Sequence, residues 1–83
     1  MYKVLLKRSA QKELDTLPKS ARSTITSSLE ELTVLGIRAR NTKKLHDPLE
    51  GYRMRVGDYR ILFDINDTII LVYRISKRAD AYR

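Results

Sequence analysis

The stretch from residue 51 to residue 63 constrains the fold most strongly, because it has the pattern of two strands around a tight turn. Residues 52–56 alternate aromatic or aliphatic side chains with arginine, which is the period-two pattern of a half-buried strand. Residues 59–65 are richer in apolar side chains, as expected of a more central strand. Gly57-Asp58 separates them and fits a two-residue hairpin turn. An antiparallel strand pair centred on this turn is therefore predicted.

The predicted hairpin brings like charges together. A two-residue turn sets Arg55 directly opposite Arg60. Arg53 lies on the same face as Arg55 and adds a third positive charge. Like charges directly opposite one another destabilise a sheet, and the two strands supply no matching carboxylates. Two interpretations stay open: the arginines hold an anion, or they form a solvated edge strand that its charges protect from aggregation.

Length and charge narrow the class of protein. A chain of 83 residues is expected to form one domain spanning residues 1–83. Its 17 Lys and Arg against 10 Asp and Glu give a formal net charge of +7. This bias favours a polyanionic partner, with nucleic acid first, an acidic protein next and a membrane surface last. The absence of a transmembrane-length apolar run or a signal sequence favours the cytoplasm and no membrane association.

The chain begins with an expected short strand at residues 2–6, followed by two helices. Ser9 is a plausible N-cap for the first helix. Pro18 ends that helix or opens the next. The apolar residues of the first helix recur at helical spacing at Ala10, Leu14 and Leu17. In the second predicted helix, over residues 19–35, the corresponding positions are Ala21, Ile25, Leu29, Leu32 and Leu35, and Gly36 is placed as the residue that ends it.

Residues 37–51 are predicted to be a loop rich in basic side chains. Four of them could grip a nucleic-acid backbone, or could be solvated individually: Arg38, Arg40, Lys43 and Lys44. His46 is the only histidine and is more typical of turn structure than of catalysis. With no cysteine and no second histidine, neither a bound metal nor another cofactor is expected.

A turn at Asn66-Asp67 leads into residues 68–75, which are almost wholly aliphatic or β-branched and predict a buried central strand. The C-terminal end is basic again, through Arg74, Lys77, Arg78 and Arg83. The element order predicts an α+β fold, with a helical hairpin packed on a mostly antiparallel sheet of about four strands. The neighbour and the direction of the first strand stay open.

Arginine and tyrosine are the residues most suited to chemistry in this chain. Arg53, Arg55, Arg60 and Arg78 could converge on one sheet face, with Tyr82 beside them. Ribonucleases usually use histidine or carboxylate acid–base pairs, which this sequence does not obviously supply. Cleavage would then depend on arginine for charge stabilisation and on tyrosine for proton transfer. Adjacent cations favour the phenolate and so lower the pKa of a tyrosine.

Two motifs resemble the RelE/ParE superfamily of toxins. Lys43-Lys44-Leu45 and the run Gly51-Tyr52-Arg53-Met54-Arg55-Val56-Gly57-Asp58-Tyr59-Arg60-Ile61 are similar to the central signature of the superfamily. The ending Arg74-Ile75-Ser76-Lys77-Arg78-Ala79-Asp80-Ala81-Tyr82-Arg83 resembles its C-terminal motif. The resemblance extends over essentially the full length and implies a RelE-like toxin fold.

The resemblance to the RelE branch implies a type II toxin that cleaves mRNA in the ribosomal A site without a metal. In that scheme Arg53 and Arg55 occupy the position of the basic pair of RelE toxins, and Arg60 stabilises charge developing on the phosphate. Arg78 acts near the leaving 5′-oxygen, and Tyr82 accepts the 2′-hydroxyl proton or stacks on a base. Lys43, Lys44, Arg74 and Lys77 are expected to bind RNA.

The sequence departs from the RelE pattern at two places. The strand pair is arginine rather than lysine, which keeps the charge but alters its geometry. Lys77 stands where many relatives have histidine, so the choice of general acid and general base stays open.

Two other functions stay open beside the nuclease. One is a ParE-like toxin that poisons DNA gyrase by binding it. The other is a catalytically inactive basic module that binds RNA or an antitoxin. The resemblance also implies an acidic, RelB-like antitoxin as partner in a hetero-oligomeric complex, in addition to the ribosome and mRNA. A cationic domain suits an acidic peptide that folds on binding.

Overall fold

The computed structural model describes residues 1–46 and 50–77, in which two helices pack on one face of a five-stranded sheet. The strands are β1 (Lys3–Leu6), β2 (Thr42–Lys44), β3 (Tyr52–Val56), β4 (Tyr59–Asn66) and β5 (Ile69–Lys77). The helices are α1 (Arg8–Asp15) and α2 (Lys19–Leu35), and a 3₁₀ turn at Gly36–Arg38 follows α2. The predicted α+β class is confirmed, with one strand more than expected.

The sheet has the order β1-β5-β4-β3-β2, so β4 and β5 lie in its interior. The predicted central strands are therefore found where they were expected. Three of the four strand pairs are antiparallel, and β1 pairs in parallel with β5. This pairing supplies the neighbour and the direction of the first strand, which the sequence left open.

The additional strand is β2, which lies inside the segment predicted to be a loop. It pairs with β3, with Thr42 opposite Met54 and Lys44 opposite Tyr52. The loop prediction was wrong here because three residues are too few to show a period-two pattern. The strand depends on its hydrogen bonds to β3, the next strand along the chain, and not on a pattern of its own. Lysine on such an edge strand discourages pairing with a second molecule.

The first helix begins two residues earlier than predicted. Lys7, not Ser9, is the N-cap of α1, and it makes no side-chain capping bond. The reason is the short connection to β1, because the Lys7 amide still donates to the Val72 carbonyl at 2.8 Å. The helix starts directly after this last sheet bond, so Ser9 falls within its first turn. Leu17 lies beyond the end of α1 but still packs against the core.

The predicted end of α2 at Gly36 is confirmed. Gly36 is the C-cap residue, with a φ of 58° that favours glycine. A Cβ at this position would lie 2.6 Å from atoms of the Tyr2 ring. The glycine therefore also allows the N-terminal residues to pack beside the helix end.

One face of the sheet forms the hydrophobic core with the helices. Its fully buried side chains include Phe63 and Ile61 from β4, both with 0% exposure. The helices contribute Ala10, Leu14, Ile25, Leu29 and Leu32, and the sheet contributes Met54, Val56, Ile61, Phe63, Ile70, Val72 and Ile75. Tyr52 stacks on Phe63 with ring centroids 5.7 Å apart. This apolar face anchors all the strands that carry the polar residues described below.

Turn geometry fixes the register of the hairpin. Val56 lies opposite Tyr59 around Gly57-Asp58, and Gly57 has a φ of 58°. The predicted two-residue turn is therefore confirmed. The next turn is shifted by one residue from its predicted position, because β4 continues through Asn66 and the turn is formed by Asp67-Thr68. No helix in residues 1–46 and 50–77 has the length and apolarity needed to cross a membrane.

Candidate functional site

The open face, which is the side of the sheet away from the helices, carries two adjacent cross-strand rows of mostly polar residues. One row consists of Lys43, Arg53, Leu62 and Arg74, and the next consists of Arg55, Arg60 and Ser76. The five basic residues of these rows, Lys43, Arg53, Arg55, Arg60 and Arg74, are called the cationic cluster below. The two rows contain no acidic residue, so the strand registers concentrate positive charge on this part of the sheet.

The register between β3 and β4 brings together the arginines that the sequence predicted to meet. Arg55 is directly opposite Arg60, and Arg53 is opposite Leu62. This is the arrangement expected from a two-residue turn at Gly57-Asp58. The like-charge juxtaposition, which destabilises a sheet, is therefore present in the folded chain.

A β-bulge in β5 brings Arg74 onto the same face. Leu62 pairs with Arg74, but the next residue of β4, Phe63, pairs with Val72, so Tyr73 is the extra residue. Strict alternation after Ile70 and Val72 would turn position 74 towards the core. The bulge instead turns Ile75 inwards, where it is 2% exposed. Bulges commonly redirect side chains in this way, and here the result is a larger cationic cluster.

Arg60 is the most unusual member of the cluster because it is buried, with 2% exposure. Its guanidinium donates one hydrogen bond from Nη1 to the Tyr59 carbonyl, at 3.3 Å. Its buried Nε has no hydrogen-bond partner among the described residues. Among the described residues, no carboxylate lies within 4.0 Å of it. A buried charge costs free energy unless it is compensated, and the described carboxylates do not compensate that of Arg60.

The Arg53 side chain is held by a hydrogen bond to the backbone just before β2. Its Nη1 donates to the Asn41 carbonyl at 3.4 Å, and the Arg55 amide donates to the same oxygen at 3.0 Å. Asn41 has a φ of 58°, which is uncommon for a residue other than glycine but tolerated by asparagine. Asn41 thereby links the start of β2 to the two arginines of β3.

The segment before β3 approaches the open face closely at Gly51. A Cβ on Gly51 would lie 2.5 Å from Asp64 Oδ1 and 2.6 Å from the Phe63 carbonyl oxygen. Gly51 also has a φ of 90°, so glycine is required here for two reasons. Next to it, the Glu50 carbonyl accepts a hydrogen bond from the Tyr73 hydroxyl at 3.0 Å. These contacts attach the two residues before β3 to β4 and to the bulge of β5.

A carboxylate from the helical layer holds the C-terminal half of β5. β1 pairs with β5 only as far as Val72, which leaves the later amides on that side without a neighbouring strand. Glu13 Oε1 accepts a hydrogen bond from the Ile75 amide at 2.8 Å. Glu13 therefore gives Ile75, which lies between Arg74 and Ser76, the hydrogen-bond acceptor that a neighbouring strand would otherwise provide.

The remaining basic residues predicted to bind RNA do not join the cluster. Lys44 lies opposite Tyr52 and Lys77 lies opposite Tyr59, so strand alternation directs both away from the open face. Both are exposed. Arg78 and Tyr82, which the sequence predicts to be catalytic, lie outside the described residues. Their roles stay predictions.

Comparison with protein families gives one match over nearly the whole chain. The model described as ParE toxin of the type II toxin–antitoxin system parDE matches residues 4–82. The chain belongs to this family. It is therefore a type II toxin of the RelE/ParE superfamily, as the central and C-terminal motifs indicated. No curated protein sequence matches the chain.

Solved structures similar to the toxin include chains of toxin–antitoxin complexes. A chain of the RelBE2 complex from Mycobacterium tuberculosis is 27% identical, with a TM-score of 0.82, and the match covers 93% of the toxin and 98% of that chain. A chain of the RelB–RelE complex from Methanococcus jannaschii is 28% identical, with a TM-score of 0.75 and 94% of each chain covered. Isolated RelE from E. coli is 22% identical, with a TM-score of 0.79; the match covers 99% of the toxin and 92% of RelE and shows a shared fold.

Two site features of the toxin were missed by sequence reasoning. Glu13 was not singled out, and no pattern links it to Ile75, which is 62 residues away in the chain. Ser76 was quoted only as part of the C-terminal motif, although it lies directly opposite Arg60. A usable signal exists for Ser76, because the buried apolar positions change from even numbers (Ile70, Val72) to an odd one (Ile75). That change of phase indicates a bulge.

Proposed function

We propose that the toxin is a ribosome-dependent, metal-independent endoribonuclease (an mRNA interferase) that cleaves mRNA in the A site and so inhibits translation in the cytoplasm. The observation that carries the proposal is the cationic cluster, in which five basic residues from four strands share one face. RNA presents one negative charge per phosphate and is the matching polyanion. The buried Arg60 supports a role beyond surface attraction, because its charge is retained at a cost in stability.

The proposed reaction is an attack of the substrate on itself. The ribose 2′-oxygen forms a bond to the adjacent phosphorus, and the bond from phosphorus to the 5′-oxygen breaks. The products are a 2′,3′-cyclic phosphate and a 5′-hydroxyl. One proton leaves the 2′-hydroxyl and one is delivered to the 5′-oxygen, so no water or cofactor is consumed. The substrate must be RNA, because DNA has no 2′-hydroxyl.

The roles assigned to the cluster residues follow from their charge and position, and those of Arg78 and Tyr82 are the ones that the family resemblance implies. Arg60 stabilises negative charge that develops on the phosphate, because a preformed cation in a desolvated site is most effective there. Arg53 and Arg55 hold the substrate backbone on β3, with Lys43 and Arg74 at the margins. Tyr82 accepts the 2′-hydroxyl proton, and Arg78 acts beside the leaving 5′-oxygen. Lys44 and Lys77 contact RNA outside the cluster.

The proposed partner, apart from the ribosome and mRNA, is an acidic RelB-like antitoxin. The support is that structures similar to the toxin are chains of complexes named RelBE2 and RelB–RelE. A net charge of +7 also favours an acidic partner.

One alternative is inhibition of DNA gyrase by binding, as a ParE-like toxin. The observation that favours it is the matching family model, which is described as a ParE toxin. The nuclease is preferred because gyrase binding gives no reason to bury Arg60, which has no carboxylate within 4.0 Å among the described residues, beside the like-charged residues of β3. A catalytically inactive module that binds RNA or antitoxin is the other alternative.

Induced expression in cells tests the proposal. Growth is followed together with primer extension on a chosen messenger, for the wild type, Arg78→Ala and Tyr82→Phe. The control is Arg8→Ala, which removes an exposed arginine from the helical layer. We expect growth arrest with cleavage inside translated codons for the wild type and the control, and loss of both in the other two variants.

Arrest without cleavage would contradict the nuclease and favour gyrase or another protein target. No arrest at all would favour the inactive binding module.

A further inference from the structure

Ser76 and Arg60 form a pair of buried polar side chains, each with an unsatisfied atom. Ser76 lies directly opposite Arg60 in the pairing of β5 with β4. The Ser76 hydroxyl oxygen and Arg60 Nε are both buried, and neither has a hydrogen-bond partner within residues 1–46 and 50–77. Buried polar atoms are nearly always satisfied in folded proteins, so two such atoms on facing residues require an explanation.

The position of Ser76 depends on a specific structural feature. Without the bulge at Tyr73, residue 76 would point into the core. With the bulge, Ser76 is on the open face, and Glu13 holds the adjacent Ile75 amide at 2.8 Å. The fold therefore uses an irregular strand and a long-range hydrogen bond to place a hydroxyl beside a buried guanidinium.

We propose that Arg60 and Ser76 together bind one phosphate group, with Arg60 Nε–H and the Ser76 hydroxyl both donating to its oxygens. A guanidinium N–H and a serine O–H can both donate hydrogen bonds to an anion, and hydrogen bonds to a charged acceptor are the stronger ones. This inference deepens the proposed nuclease function, on which it rests for the source of the phosphate, namely the RNA backbone. Ser76 is then a substrate-binding residue in addition to the arginines.

The row that contains the pair has an exposed arginine at one end and less accessible residues beside it. Arg55 is exposed, Arg60 is buried and Ser76 is half-buried. An anion attracted by the exposed cations of the cluster would meet Arg60 and Ser76 next. A bound phosphate would supply the negative charge that no described carboxylate provides within 4.0 Å of Arg60. Hydrogen bonds to charged groups are also stronger than those between neutral groups.

The test is a titration of the ¹⁵N-labelled full chain with inorganic phosphate, followed through the NMR signal of Arg60 Nε–Hε. Four forms are compared: the wild type, Ser76→Ala, Ser76→Thr and Ser28→Ala. Ser28 is the matched control, because it is also a half-buried serine but its hydroxyl donates to the Thr24 carbonyl on α2. Thermal unfolding of each form verifies that it is folded.

We expect a saturable shift of the Arg60 signal in the wild type. Ser76→Ala should raise the phosphate dissociation constant roughly tenfold, as expected for the loss of one hydrogen bond to a charged group. Ser76→Thr keeps the hydroxyl and should stay close to the wild type, as should Ser28→Ala. No saturable shift in the wild type, or equal affinity in wild type and Ser76→Ala, would overturn the inference.

A second titration with a short 2′-O-methyl RNA, which cannot be cleaved by 2′-hydroxyl attack, separates the sources of the phosphate. We expect RNA to shift the same signal at lower concentration than phosphate. If phosphate and RNA bind through Ser76 but no RNA is cleaved, the subsite stands and the nuclease proposal fails. If RNA is cleaved while Ser76→Ala binds phosphate as tightly as the wild type, only the subsite fails.

Discussion

Ile61 and Arg60 are adjacent in β4, are almost equally buried, at 0% and 2% exposure, and lie on opposite faces of the same sheet. Ile61 faces the helices and contributes to a continuous apolar core. Arg60 faces the other way, opposite a second arginine and with an unsatisfied Nε. Burial therefore has opposite consequences on the two faces, because it removes apolar surface from water on one and desolvates a charge on the other.

This difference shows that the charged face depends on the apolar face for stability. The core face supplies the free energy of folding that the open face needs in order to hold like charges together. A cationic cluster of this kind would separate on an isolated hairpin, since like charges opposite one another repel. The clearest tests of this division substitute a residue on one face and compare the change in stability with that from a substitution elsewhere.

The largest expected effect is the loss of stability on truncating the core. Phe63→Ala should lower the free energy of unfolding by about 3–5 kcal/mol, because it leaves a cavity under the sheet and removes the stacking on Tyr52. Urea denaturation measures the change. Leu5→Ala is the comparison from the open face, where the side chain is 41% exposed, and it should change stability by less than about 0.5 kcal/mol. Equal losses for the two variants would contradict the division between the faces.

The next effect should have the opposite sign. Arg60→Met replaces a buried charge that has no carboxylate partner among residues 1–46 and 50–77 by an apolar side chain of similar length. It should leave the stability unchanged or raise it by up to about 4 kcal/mol, which is the range for replacing a buried ion pair by well-packed hydrophobic residues. Thermal and urea unfolding measure the effect, with Arg8→Met as an exposed arginine control. A marked loss of stability in Arg60→Met would mean that the guanidinium has a structural role.

The smallest effect concerns the link between the faces. Glu13→Ala leaves the Ile75 amide without its acceptor and should cost about 1–3 kcal/mol. Glu13→Gln keeps a carbonyl oxygen at the same place and should cost less. Hydrogen exchange at the Ile75 amide reports the effect locally, and it should be faster in Glu13→Ala than in Glu13→Gln. Unchanged protection of this amide in both variants would contradict the role assigned to Glu13.

The features that could be predicted from the sequence are those fixed by local rules. A two-residue turn determines register, so the pairing of Arg55 with Arg60 followed from Gly57-Asp58. Helical spacing of the apolar residues and a terminal glycine were sufficient to predict α2 and its end. The apolar content of residues 59–65 and 68–75 was sufficient to identify the central strands.

The features that could not be predicted depend on contacts between distant parts of the chain. β2 exists because β3 pairs with it, and the parallel neighbour of β1 is β5, which lies at the other end of the sequence. Ser9 has the chemistry of an N-cap, but the last β1 hydrogen bond places the helix start before it. The burial of Arg60 was also missed, because arginine is normally exposed to solvent.

The central claim is that the open face keeps Arg60 for cleavage of mRNA and not for folding. The most direct measurement is cleavage of mRNA on programmed ribosomes by purified toxin, comparing wild type, Arg60→Met and Arg8→Met, together with their unfolding curves. The account predicts cleavage inside codons by the wild type and Arg8→Met, and a rate at least about 100-fold lower for an Arg60→Met variant that is no less stable. Cleavage by Arg60→Met at the wild-type rate would contradict it.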